Sequence, residues 1–166
     1  GGNILKGVEI FCKTPVEVIG FPAILAQKVI SEEVKKSLEE KLQLDYDFNY
    51  LSIAQWSPRK NIEQTISGFV EEFYDQEVGL VLKLSLHSDS KVDRHYTEEQ
   101  LTTFLEGMKQ RYREIKCKIY LLHGVLTEEE MCALYQHPQI KALISIAHGE
   151  GFGLPVFEAI QNKLPV

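Results

Sequence analysis

The stretch Ile146-Ala147-His148-Gly149-Glu150-Gly151-Phe152-Gly153-Leu154-Pro155-Val156-Phe157-Glu158 decides how the chain is read, because it has the form of a strand end, a glycine-rich turn and a helix start. The apolar run from Ala142 to Ala147 has the length and the Ile and Leu content of a short buried strand. Glycines at three alternate positions then allow a tight turn, and Pro155 suits the first turn of a helix, where a missing N–H costs nothing. With the turn so placed, the N–H groups around Phe152, Gly153 and Leu154 and the positive end of the helix dipole converge on a spot suited to an anion such as phosphate.

Two acids flank that spot, Glu150 in the turn and Glu158 in the helix, with seven residues between them. A carboxylate in direct contact would repel a phosphate, so the partners of these acids should be neutral hydrogen-bond donors. The hydroxyls of a sugar and of a ribose meet that requirement, since an ionised carboxylate only accepts. An anion cradle beside two hydroxyl readers suggests a sugar nucleotide. The alternative is that Glu158 is a solvated acid favoured by the helix dipole and Glu150 a surface loop residue. The dinucleotide pattern G-x-G-x-x-G would need glycine at Leu154 or Val156, and no G-K-[ST] follows, so neither a Rossmann dinucleotide fingerprint nor a P-loop is present. His148 and Glu150 are too few to make a metal site.

The run His148-Gly149-Glu150-Gly151-Phe152-Gly153-Leu154-Pro155, with Glu158-Ala159, resembles the signature of retaining GT-B glycosyltransferases of the family-four type, whose two glutamates have the same separation. The resemblance implies an α/β fold with a Rossmann-like parallel sheet and helices on both faces, forming part of the donor-binding half of a GT-B protein. It implies sugar transfer from a nucleotide-diphosphate donor to an acceptor with retention at the anomeric carbon. Glu150 would hold sugar hydroxyls and Glu158 ribose hydroxyls, with Gly151, Phe152, Gly153 and Leu154 forming the turn against the donor. It further implies no metal and no cofactor beyond the nucleotide sugar as substrate. A separate N-terminal acceptor domain, an acceptor that the residues do not name, and a protein that is cytoplasmic or peripheral at the inner membrane face complete the picture. A sugar-nucleotide epimerase or phosphorylase of the same plan is the rival enzyme; a nucleotide-sugar-binding module without catalysis is the rival outside enzymology.

Upstream, Phe48 to Ala54 reads as the first core strand and Asn61 to Tyr74 as a helix carrying Ile62, Ile66, Phe69 and Phe73 at helical spacing. Between them lies Gln55-Trp56-Ser57-Pro58-Arg59-Lys60, a basic loop at the carboxyl end of a strand, able to face the same crevice as the Glu150 turn. In the family this loop has an arginine and, five residues later, a lysine on the donor diphosphate. Lys60 matches the lysine and would stabilise charge on the leaving diphosphate; the arginine position holds Gln55, and Arg59 is the candidate substitute. The bland reading of Arg59-Lys60 is a solvated pair, although cations at a helix start oppose its dipole unless an anion is present.

Gly79 to Leu86 is a second strand, with Lys83 in its middle either lining the crevice or snorkelling at the sheet face. A polar loop from His87 to His95 follows, its histidines spaced unlike zinc ligands. Thr97-Glu98-Glu99-Gln100 reads as a capping box opening a helix to Tyr112, with Leu101, Phe104, Leu105 and Met108 as its apolar face. Lys118 to Leu122 is a third strand, Thr127-Glu128-Glu129-Glu130 a second capping box, and His137-Pro138 ends that helix, on which Tyr135 reads as a packing residue, the resemblance offering approach to the nucleotide base as the alternative. Ahead of all this, residues 1–47 read as an entry segment with a strand at Val16-Glu17-Val18-Ile19 and a mostly solvated helix capped by Ser31; residues 48–166 read as the nucleotide-sugar-binding domain. Four strand–helix alternations with short connections are the signature of a covered parallel sheet.

Length and composition agree. The chain has 166 residues, 44% hydrophobic, enough for one core. A net charge of −6 argues against nucleic acid as a partner, and no apolar run reaches membrane-span length. Cys12, Cys117 and Cys132 lack C-x-x-C spacing and are expected as buried reduced thiols. The chain opens Gly1-Gly2, and the family continues past the position of Pro165-Val166 with another strand, so a truncated piece, inactive alone, is expected.

Overall fold

The computed structural model describes residues 29–112 and 114–166; Cys12 and the strand expected at 16–19 lie outside them. In chain order come α1 (Glu32–Lys41), β1 (Asn49–Gln55), a 3-10 turn (Pro58–Lys60), α2 (Ile62–Phe73), β2 (Gly79–Ser85), α3 (Lys91–Lys109), β3 (Lys118–Leu122), α4 (Glu128–Tyr135), β4 (Ile140–Leu143) and α5 (Leu154–Gln161). The four strands form one parallel sheet in the order β3-β2-β1-β4.

Alternation along the strands sorts two cores. Leu51, Ile53, Val81, Tyr120, Leu122 and Leu143 face α1, α4 and α5, where they meet Leu38, Leu134, Tyr135 and Ala159. Tyr50, Leu80, Leu82, Leu84, Ile119 and Leu121 face α2 and α3, against Ile62, Ile66, Phe69, Leu101 and Met108. Both faces are therefore covered, as a parallel sheet with near-continuous apolar strands requires, and the fold is the Rossmann-like α/β arrangement. Helix α1 packs on α4 through Leu38 and is tied there by Lys41 to Glu130 (2.5 Å) and by the Ser31 N–H to Glu129 Oε1 (2.9 Å). Cys117 and Cys132 are buried free thiols.

Two boundaries differ from the sequence reading. Helix α3 takes Ser90 as its N-cap, not Thr97. The Ser90 hydroxyl accepts the Asp93 N–H (3.1 Å), while Thr97 is fully buried inside the helix and its hydroxyl donates back to the Asp93 carbonyl (2.8 Å). The polar segment 87–95 thus becomes helical from Lys91, and the helix ends at Lys109 rather than Tyr112. Strand β4 covers 140–143 rather than 142–147. The Ile144 N–H still bonds the Leu51 carbonyl (2.8 Å), but beyond it the chain leaves the ladder to follow the loop after β1, and Ile146 is left half exposed. The second capping box is formed as expected, with both reciprocal bonds between Thr127 and Glu130. The Leu143 N–H donates to the Pro165 carbonyl (2.8 Å), so residues just past α5 run beside β4.

Candidate functional site

Strands β1, β2 and β3 step outward in one direction, and β4 returns to the other side of β1. That reversal opens a crevice beyond the carboxyl ends of β1 and β4, the place where open α/β sheets take ligands. Two loops rim it, 56–61 and 144–153, and they are fastened together. The His148 N–H donates to the Arg59 carbonyl (2.9 Å), Arg59 Nη1 to the Gly149 carbonyl (2.6 Å) and Asn61 Nδ2 to the Ile146 carbonyl (3.3 Å). Asn61 has a left-handed backbone (φ 54°), which asparagine tolerates, and spends its side chain across the crevice rather than on capping α2.

Lys60 and Glu150, ninety positions apart in sequence, are bonded directly, and Arg59 Nη1 lies 3.6 Å from the same carboxylate. The Lys60 ammonium holds the Glu150 carboxyl below the usual carboxylate range; partial burial opposes this and Arg59 adds to it. Gly153 caps α5 with φ 74°, where a side chain would be strained, and Pro155 occupies the first turn. Gly149 and Gly151 have open space where a Cβ would stand, so of the three turn glycines Gly153 is the one whose positive φ demands its residue type. Phe152 and Leu154 are exposed at the same edge, the Phe152 ring resting against Phe157 (5.5 Å between centroids). Gln55 is turned aside, donating its amide to the Leu86 carbonyl (2.9 Å).

Glu158 lies farther along α5 and faces α4, where the Tyr135 hydroxyl donates to its Oε2 (2.7 Å). Tyr135 is 2% exposed. Burial, and then the neighbouring carboxylate, push its phenol far above its usual value, so it remains a donor. Packing was the role expected for Tyr135; it packs and also orients Glu158. Beside this pair is a small cavity of about 110 Å³, lined by Leu126, Met131, Tyr135 and Glu158 among others.

Asp93 is the residue that the sequence reading missed. Its carboxylate accepts the N–H groups of Leu86 (3.0 Å) and His87 (2.9 Å) and meets His123 Nε2 at 3.0 Å, so one buried acid joins the loops leaving β2 and β3. Ser90-x-x-Asp93 carries the same capping spacing as the segment at Thr97, which is the signal that would have found it. Burial works against ionising Asp93, but His123 and three backbone N–H groups outweigh it and hold the carboxyl well below its ordinary 3.8. Its contribution is therefore fully present above about that value and is lost as pH falls through the folded-state value. Asp93→Asn is expected to lower the Tm by several degrees near neutrality, with the gap to wild type closing in strong acid; thermal melts from pH 7 down to acid check this, and a gap that does not depend on pH would contradict it.

Among the described residues, no group of three or more His, Cys, Asp or Glu is placed to hold a metal ion, and no helix is long and apolar enough to cross a membrane. No protein-family model matches the chain. Over 121 residues, 71% of the chain, it is 31% identical to the serotype-specific mannosyltransferase WbdA of Escherichia coli, of which the match spans 13%. Another WbdA sequence is 30% identical over 121 residues, with 13% of its length covered, so the chain corresponds to a short segment of these relatives. An Escherichia coli trehalose-6-phosphate structure bound with UDP-2-fluoro glucose shares the fold, with a TM-score of 0.51 at 12% identity over 76% of this chain and 29% of that one. The sequence likeness is thus to a segment of a glycosyltransferase, and the structural likeness is one of fold.

Proposed function

We propose that this chain is part of the donor-binding half of a retaining GT-B glycosyltransferase of the family-four type, and that it takes a nucleotide-diphosphate sugar in the crevice between the β1 and β4 loops. The observation that carries the reading is the meeting of Lys60 with Glu150 at the strand-order reversal, with Glu158 held by Tyr135 on α5, the helix that follows the Glu150 turn. The diphosphate would lie against Lys60 and the start of α5, where the N–H groups of a first helical turn have no intrahelical partners. Glu158 would accept the ribose hydroxyls and Glu150 those of the sugar.

In the reaction, the anomeric C–O bond breaks and its electron pair leaves with the diphosphate, while the acceptor oxygen bonds the anomeric carbon from the same face and gives its proton to the departing phosphate. Lys60 and the α5 N-terminus stabilise the charge that develops on the leaving oxygen, an electrostatic contribution commonly the largest in such steps. Glu150 acts by positioning rather than as a nucleophile. The acceptor, the acceptor domain and a cytoplasmic setting belong to the same reading of the whole protein. The alternative of a binding module without catalysis is favoured by one observation: Gln55 spends its amide on Leu86 and puts no charge at the position where the family carries arginine. Sugar transfer by the full-length protein separates the two.

Calorimetric titration of the full-length protein with UDP, GDP, ADP and their sugar conjugates tests the donor site. One base is expected to be preferred, and Glu158→Ala to weaken that nucleotide about tenfold, since a hydrogen bond to a charged group contributes about 1.5–3 kcal/mol. Absence of binding to all of these nucleotides would end the reading.

A further inference from the structure

We propose that Lys83 is a second phosphate-binding cation of this crevice, contacting the phosphate nearer the nucleoside and supplying charge that Gln55 does not. The inference rests on the donor-site reading above.

Lys83 sits within β2, opposite Ile53 of β1 on one side and Leu122 of β3 on the other. Its strand neighbours Leu80, Val81, Leu82 and Leu84 are at most 1% exposed, so a cation interrupts an otherwise apolar buried strand. Val81, on the same face, packs in the core formed with α4 and α5, so Lys83 points to the side of the sheet where Glu158 and Tyr135 lie. Its side chain is 13% exposed, and its ion pair with Asp89 is long, 3.5 Å, against the 2.7–2.9 Å of a charge-assisted hydrogen bond. Asp89 follows the carboxyl end of β2, so the ammonium reaches up toward the rim of the crevice rather than down into the sheet.

The strand register places the charge. Gln55 pairs with Ser85 while Ile53 pairs with Lys83, so Gln55 and Lys83 are diagonal neighbours on one face, about 7–8 Å apart at the backbone and within reach of long side chains. Along the rim the order is the Lys60–Glu150 pair at β1 and β4, then Lys83 on β2, then the loop after β3, whose Leu126 lines the cavity beside Glu158. A nucleotide that runs from Lys60 at the end of β1 toward the loop after β3 passes over the end of β2, and the group next to the outer phosphate along that path is the inner phosphate. A largely covered ammonium whose counterion among the described residues is as distant as Asp89 gains most from such an anion, because charge out of water is costly unless closely paired.

The experiment titrates the full-length protein with the nucleoside, monophosphate and diphosphate of the base it prefers, beside Lys83→Met, Lys83→Arg and Lys60→Ala, each checked by thermal melt. Methionine keeps the apolar stem and removes the charge. Lys83→Met is expected to weaken the monophosphate and the diphosphate about tenfold each, leaving the nucleoside unchanged, with Lys83→Arg retaining most of the affinity. Lys60→Ala should spare the monophosphate. If Lys83→Met binds all three as wild type does while Lys60→Ala weakens the diphosphate and Glu158→Ala weakens all three, Lys83 is a snorkelling lysine and the donor site stands without it. Equal loss of nucleoside and nucleotides in Lys83→Met also overturns the proposal, since the change then acts through the fold. A wild-type protein that binds none of the three removes the donor site and this inference together.

Discussion

Lys60→Ala is expected to weaken a nucleoside diphosphate about thirtyfold and to bring sugar transfer by the full-length protein close to zero, since a charge-assisted contact contributes about 1.5–3 kcal/mol and more in a transition state that concentrates charge on the leaving oxygen. The side chain is well placed for this: it is 14% exposed and pairs with the Glu150 carboxylate. Glu150 pairs with the ammonium that a diphosphate would use. Glu150→Gln should therefore move binding the other way, tightening the bare diphosphate several-fold while erasing the preference for the sugar conjugate. Titrations of diphosphate and conjugate against both variants read this directly. A Lys60→Ala protein that binds the diphosphate as tightly as wild type would remove Lys60 from the site.

Gly79→Ala is the second large effect, and it acts on the fold. A Cβ at this position would lie 1.8 Å from Asn49 Oδ1 and 2.8 Å from the Tyr120 ring. Asn49 cannot swing aside cheaply. It is fully buried, and its Nδ2 donates to the Tyr46 carbonyl (2.6 Å) and the Gln139 carbonyl (3.0 Å), joining the chain before β1 to the turn before β4. Tyr120 is also held, its hydroxyl bonded to Asp45 (3.1 Å). Overpacking of a fixed site costs about 3 kcal/mol, or about 10 °C in Tm for a domain of this size. A melt within about 2 °C of wild type would show that Asn49 yields easily.

Elements with strong local signals were legible in the sequence. The Lys118–Leu122 strand, the helix after β1 and the Thr127 capping box stand where periodicity and capping chemistry put them. Legibility failed where two local signals competed or where distant residues decided. Ser90 and Thr97 both head a capping pattern, and the upstream one prevailed because Asp93 serves the helix start and the two adjacent loops at once. The apolar run 142–147 has the pattern of a strand throughout, yet its second half is held by Asn61 on the Ile146 carbonyl and the residues just after it by Arg59, contacts that no window around 142–147 contains. The site followed the same rule. The glycine turn with Glu150, Lys60 and Glu158 could be singled out by residue type and spacing, whereas the Tyr135–Glu158 bond and the Asp93–His123 pair depend on helix and loop placement 23 and 30 positions apart.

The two loops that rim the crevice are joined partly through main chain, by the His148 N–H on the Arg59 carbonyl and by the carbonyls of Gly149 and Ile146, which accept from side chains. A main-chain bond survives replacement of either residue's side chain. The His148–Arg59 fastening is thus indifferent to either side chain, whereas the other two depend on the side chains of Arg59 and Asn61. Exchange of the Arg59 side chain would therefore remove one of the three fastenings and leave the main-chain one in place, so the two loops stay joined while the charge at the rim changes.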